Sequence, residues 1–174
     1  MLSDNPISFS VLSRIDEEVT LALELMERVP GESEQWRPDW PSESAPPFTL
    51  KVLCWHLCES FAGICAVSVR LRGGSDPQAE ALRARVADGR MGGIGESRAL
   101  LADLAAFARD RFGEIADMDL ARSIPTTFVP AGKPALSVIL TNLAHFTNHK
   151  YQLFLYLKLL GVPVTTQDLY RFDP

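Results

Sequence analysis

The sequence predicts an all-α protein, a four-helix bundle with long irregular connections. Three observations carry this reading. Four long segments repeat apolar residues in steps of three and four, the period of a helix that buries one face. Proline and glycine concentrate between those segments. Strand signals are poor: the run Thr126-Thr127-Phe128-Val129 is short, isolated and flanked by prolines.

Residues up to Pro6 read as a lead-in. From Ser8 to Val29 the positions Leu12, Ile15, Val19, Ala22, Met26 and Val29 keep the helical rhythm, with acids and Arg14 elsewhere. Pro30 ends this helix. The connection from Pro30 to Pro47 holds five prolines, Gly31, several serines and two indoles, Trp36 and Trp40. An indole carries too much apolar area to hang in water, so at least one is expected to pin this loop to the bundle. Thr49 is placed to cap a second helix over Leu50 to Arg72. That helix is apolar over a wide face: Leu50, Leu53, Cys54, Leu57, Cys58, Phe61, Ile64 and Cys65. Gly73-Gly74 stops it.

Asp76 to Arg90 is charged and alanine-rich, the pattern of a short solvated helix, and Gly89, Gly92, Gly93 and Gly95 make a flexible connection. These glycines follow no strand and do not read as a phosphate loop. Ser97 to Phe112 is the third long helix, with Leu100, Leu101, Leu104, Phe107 and Ala108 inward. Ile115 to Lys133, with Pro125 and Pro130, reads as irregular. The last long helix runs from Leu136 to Leu160. Pro134 stands where a first-turn proline loses no hydrogen bond, Gly161 can take the left-handed cap, and Pro163 forbids continuation. Tyr170 and Phe172 in the tail, Val162 to Pro174, are expected to cover part of the bundle.

At 174 residues the chain is read as one domain, residues 1–174, large enough for a real core. The composition, 47% hydrophobic and 22% charged, is that of a soluble globular protein. A net charge of -5 argues against nucleic-acid and anionic-membrane partners, which call for a basic patch. No window reads as an uninterrupted apolar span. The N-terminus lacks a basic start followed by an apolar run, so no signal peptide is expected. Three cysteines, an odd count, fit a reduced cytoplasmic compartment.

The last helix carries the chemistry. Its apolar stripe is Leu136, Ile139, Leu143, Phe146, Leu153, Leu157 and Leu160. Beside it runs a seam of Val138, Asn142, His145, His149, Gln152, Tyr156 and Leu159, whose middle is polar where a bundle normally places aliphatics. Residues four apart share a helix face, so His145 and His149 can bind one metal ion through imidazole nitrogen. The third histidine, His56, lies in the second helix. If it meets the other two, three nitrogens leave a coordination position open for water or substrate, as catalytic metal sites do. The companions of His56 on its face, Thr49, Val52, Ser60, Gly63 and Val67, are only moderately apolar, so that face reads as inward or as an edge.

The cysteines read as small buried hydrophobes rather than as a rival site. Cys54 and Cys58 stand one turn apart and are spaced for metal ligation, but His56 points to nearly the opposite side of the helix from Cys54. Gln152 and Asn148 are placed to orient the histidines, or to satisfy each other. Tyr156 reads as a core tyrosine or a pocket wall, and Lys150 as exposed, away from the seam. Glu59 is near His56 but is not assigned a role, and no catalytic acid or base is identified.

Three stretches resemble the DinB-like superfamily of metal-binding four-helix bundles, which includes thiol-dependent S-transferases. They are Val29-Pro30 with Trp36-Arg37-Pro38; Leu53-Cys54-Trp55-His56-Leu57; and His145 through Leu153, running on to Tyr156-Leu157-Lys158-Leu159-Leu160-Gly161-Val162-Pro163. The last matches the pattern of two histidines four apart, a basic residue, a glutamine and an exit through glycine and proline, here Gly161-Val162-Pro163. Two positions depart from it: Lys150 stands where arginine is common, and Tyr151 where a small residue is frequent.

The resemblance implies a DinB-like fold, with His56, His145 and His149 as ligands of a divalent transition metal, zinc or nickel. It implies a homodimer, with which the wide apolar face of the second helix is compatible. It also implies metal-assisted S-transfer or hydrolysis on a small molecule, such as a low-molecular-weight thiol. The alternative is a non-catalytic, dimeric metal-binding or stress-related bundle protein; a member without metal is a third reading.

Overall fold

A computed structural model of the chain describes residues 5–39, 41, 46–88, 92–126 and 129–171. Five α-helices are present among the described residues: α1 (Pro6–Glu27), α2 (Leu50–Leu71), α3 (Pro77–Ala87), α4 (Ile94–Phe112) and α5 (Ala135–Leu159). The four long ones form the bundle. α2 packs against α4 and α5, and α1 closes the ring by packing against the same two, so the cyclic order is α1, α4, α2, α5. α2 and α5, the two histidine-bearing helices, are therefore neighbours.

The expected periodicities describe the core. On α1, Ile15, Val19, Ala22 and Met26 are buried; on α2, all eight residues of the wide face are; on α4, Leu100, Leu101, Leu104, Phe107 and Ala108 are. The apolar stripe of α5 buries Ile139, Leu143, Phe146, Leu153 and Leu157. α2 has the length and apolarity to cross a membrane, which the sequence reading did not anticipate, but 61% of that window is buried within the bundle, as in a core helix.

Element ends are set by local chemistry. The Thr49 hydroxyl accepts from the Val52 amide at 3.3 Å, capping α2. α1 is capped from a distance: both Asp117 carboxylate oxygens accept, from the Ile7 and Ser8 amides at 3.0 and 2.8 Å. Gly161 has φ +77°, the left-handed conformation that lets Val162 N–H reach back to the Leu157 carbonyl and close α5. α3 is a short, mostly solvated helix, with Leu82 its one buried residue.

Between α1 and α2 the chain is held at several points. Glu34 accepts from the Ile94 amide at the start of α4, and the Trp36 carbonyl accepts from Leu50. The Trp36 ring stands edge-on to Tyr156 at 5.5 Å, so this indole pins the loop as expected; Trp40 lies outside the described residues. Between α4 and α5 a short antiparallel ladder pairs β1 (Ser123–Ile124) with β2 (Lys133–Pro134). It falls on either side of the run the sequence singled out, of which Thr127 and Phe128 are outside the described residues. In the tail, Val164 and Leu169 are buried, while Tyr170 is partly exposed and Phe172 is outside the described residues.

Lys150 is a correction. It is 1% exposed, not solvated. The apolar stripe of α5 steps from Phe146 to Leu153, and position 150 fills the gap. Its ammonium donates to the Leu169 carbonyl at 2.8 Å and stands 2.8 Å from Oε2 of Glu18, itself fully buried on α1. The Glu18 contact is charge against charge rather than an aligned hydrogen bond. Arg14 holds the other Glu18 oxygen.

Candidate metal centre

The three histidines meet where α2 crosses α5. His56 comes from the second turn of α2, while His145 and His149 lie one turn apart on α5. Their ring centroids stand 5.3 Å (56–145), 4.5 Å (56–149) and 4.7 Å (145–149) apart. One nitrogen from each falls within 4.8 Å of the others, and the Nε2 atoms of His56 and His145 are 3.1 Å apart. A tetrahedral ion with metal–nitrogen bonds of about 2.1 Å holds its nitrogens about 3.4 Å apart, within the range found here.

The donor set fits such an ion for a further reason. His56 Nδ1 is 2.8 Å from Glu59 Oε2, and His149 Nδ1 is 2.9 Å from Gln152 Oε1. Both partners are acceptors, which places the proton on Nδ1 and leaves the Nε2 lone pair for the centre. Gln152 in turn donates from Nε2 to the Tyr156 hydroxyl at 2.9 Å, and Tyr156 carries Trp36 on its ring. The orientation of His149 is thereby tied to the loop ahead of α2.

Burial lowers the His145 imidazole below its ordinary pKa, and a charge on His56 lowers it further. Burial also lowers His149; Gln152 works against that shift, and the neighbouring histidines add to it. Both effects favour the neutral ring, the form that ligates metal. For Tyr156, burial raises the phenol pKa despite the Gln152 contact, so it stays protonated.

The expected site residues divide clearly. His56, His145, His149 and Gln152 converge. Asn148 does not: it is exposed, and among the described residues it makes no hydrogen bond to the rings. Tyr156 is a buried residue acting through Gln152, and Leu159, at the end of the seam, is 66% exposed. Glu59, which the sequence placed near His56 without a role, holds that ring. Phe48 was missed: its ring lies 5.1 Å from His56 and 5.9 Å from His149. The available signal was its position just before the Thr49 cap, where an apolar residue fixes the chain's entry into a helix.

Among the described residues the cysteines join no metal-ligating group. All three are free and buried, and Cys58 and Cys65 donate to the carbonyls of Ser97 and Leu104 on α4. Burial pushes all three thiols up, Cys58 and Cys65 to about 12, which removes thiolate chemistry from them.

No protein-family model matches the chain, and no curated protein does. Among solved structures it is similar to a DinB-like protein of Bacillus subtilis, YjoA. The TM-score is 0.62 at 15% sequence identity, over 87% of this chain and 92% of that one. The bundle that brings His56 to His145 and His149 is thus an all-α, DinB-like fold.

Proposed function

We propose that the protein is a metal-dependent enzyme in which His56, His145 and His149 hold a divalent transition metal, zinc or nickel, in a reduced, cytoplasmic setting. One observation carries the reading: three imidazole nitrogens face a common point, and no fourth protein ligand stands among them in the described residues. When bound, such an ion acts as a Lewis acid that lowers the pKa of a coordinated water or thiol. The chain's own residues position that chemistry. Glu59 and Gln152 hold protons at the Nδ1 atoms of His56 and His149, and Phe48 places an apolar ring beside two of the three ligands. The resemblance noted in the sequence directs the reaction toward S-transfer from a small thiol or hydrolysis. The test is metal content of untagged protein, followed by a screen of low-molecular-weight thiols with electrophilic acceptors. One equivalent of metal and turnover that depends on added zinc or nickel are expected; metal content unchanged in His149→Ala removes the mechanism.

A second reading, a dimeric metal-binding protein without turnover, is favoured by one surface. The wide face of α2 is buried within the monomer and is not free to dimerise. α5 instead exposes Leu140, Tyr151, Leu155 and Leu159, spaced along one outward stripe. Metal uptake and dimer formation lost on Leu155→Glu, with no turnover against any acceptor, would establish this reading over the first.

A further inference from the structure

A groove of about 520 Å³ leads away from the histidines along the α2–α5 seam. Its near end is formed by His56, Glu59 and His145; its far end by Arg70, in the last turn of α2, and Lys133, on β2. Between them the wall is small and largely apolar, with Gly63, Ala66, Val67 and Val138 interrupted by the polar Ser60, Thr141 and Asn142. A Cβ on Gly63 would stand 2.3 Å from Asn142 Oδ1, so the helices approach here too closely for a side chain. The α2 residues lining the groove recur at 56, 60, 63, 67 and 70, one stripe of the helix. At a rise of about 1.5 Å per residue, His56 and Arg70 lie about 21 Å apart along the axis. An arginine side chain leaning toward the N-terminus of its own helix would shorten this to a span of about 15 Å.

The charges along this groove are arranged, not scattered. The chain has a net charge of -5, and most of its described arginines pair with carboxylates. Arg70 and Lys133 have no carboxylate partner among the described residues; the Arg70 guanidinium donates only to the Pro125 carbonyl. Two unneutralised cations therefore share one end of a groove whose other end is the histidine cluster, with the one groove carboxylate, Glu59, engaged by His56.

We propose that this groove binds an extended small molecule with an anionic tail, a carboxylate or phosphate, held by Arg70 and Lys133 while its opposite end reaches the histidine centre. The inference rests on the metal reading for its head group only; the tail subsite depends on Arg70 and Lys133 alone. Charge-assisted contacts select the anion, and the apolar wall accepts a hydrocarbon or similar spacer.

The test is calorimetric titration of zinc-loaded protein with mercaptoundecanoate, with mercaptoundecanol of equal length, and with mercaptopropionate, which is too short to span. The long carboxylate is expected to bind about tenfold more tightly than the long alcohol. The short acid should show no such gain over mercaptopropanol. In the double variant Arg70→Gln, Lys133→Gln the preference should vanish while affinity for mercaptoundecanol stays. Equal affinity of the two long probes, absence of binding by both, or a preference that survives in the double variant overturns the proposal. Chelated protein titrated with undecanoate and undecanol separates the two readings. An acid preference that needs Arg70 and Lys133, in protein that takes up no metal, upholds the groove and removes the metal centre; equal affinities there remove the tail subsite.

Discussion

His149 and Lys150 are adjacent in the chain, yet each belongs to a different kind of polar cluster. Lys150 is sealed: its ammonium meets Glu18 and the Leu169 carbonyl, and Arg14 takes the remaining Glu18 oxygen. Every charge there is answered by protein. His149 belongs to a set in which two rings, His56 and His149, have their outer nitrogens answered by Glu59 and Gln152, while the inner nitrogens of His56 and His145 face one another. Neighbouring polar groups on one helix are thus not equivalent. A closed set fixes the packing of α1, α5 and the tail, while an open set holds spare ligating capacity.

The two sets respond to different substitutions. The largest expected effect is on metal: His149→Ala should lower affinity at least about a thousandfold by removing one of three ligands. It should leave the thermal stability of the metal-free protein nearly unchanged, as read by metal titration beside thermal unfolding. Lys150→Met should do the reverse. It leaves a buried Glu18 short of its partner and is expected to cost about 3 kcal/mol in denaturant unfolding, with metal stoichiometry kept. The double variant Glu18→Leu, Lys150→Met should recover most of that loss; failure to recover would mean that the pair specifies the packing as well as neutralising itself.

Gln152→Leu acts on the histidine set alone. It keeps three ligands but frees the His149 ring, and metal affinity is expected to fall about 10- to 100-fold. The smallest effect is on pH dependence. His145 and His149 have folded-state pKa values below the ordinary 6.5, so the unfolded chain binds more protons as pH falls through that value. Their contribution to metal-free stability is fully present above 6.5 and is lost as pH falls below it. The midpoint of thermal unfolding should therefore drop over that interval, and less so in a His145→Asn, His149→Asn variant.

The same two residues show what the sequence could and could not reveal. The helices were legible because their burial repeats every three to four residues, and the histidine pair because its spacing defines one face. The meeting of His56 with that pair was implied by resemblance rather than derived, since periodicity gives each helix its faces but not the pairing between helices. Lys150 was misread on residue type, because lysine is seldom buried. Its position, in the gap between Phe146 and Leu153, was the better guide. The compensating charge, Glu18, lies on another helix and leaves no local trace. Phe48 and Glu59 depend likewise on how side chains converge after folding.

His56 and His145 are 89 residues apart, so an ion shared between them would close most of the middle of the molecule into a single ring, including α3, α4 and the β ladder. A link across so long a contour removes much of the disorder open to the unfolded polypeptide. Ion supply would then act on this protein as a reversible staple, governing how long the folded chain survives as well as what it can react with.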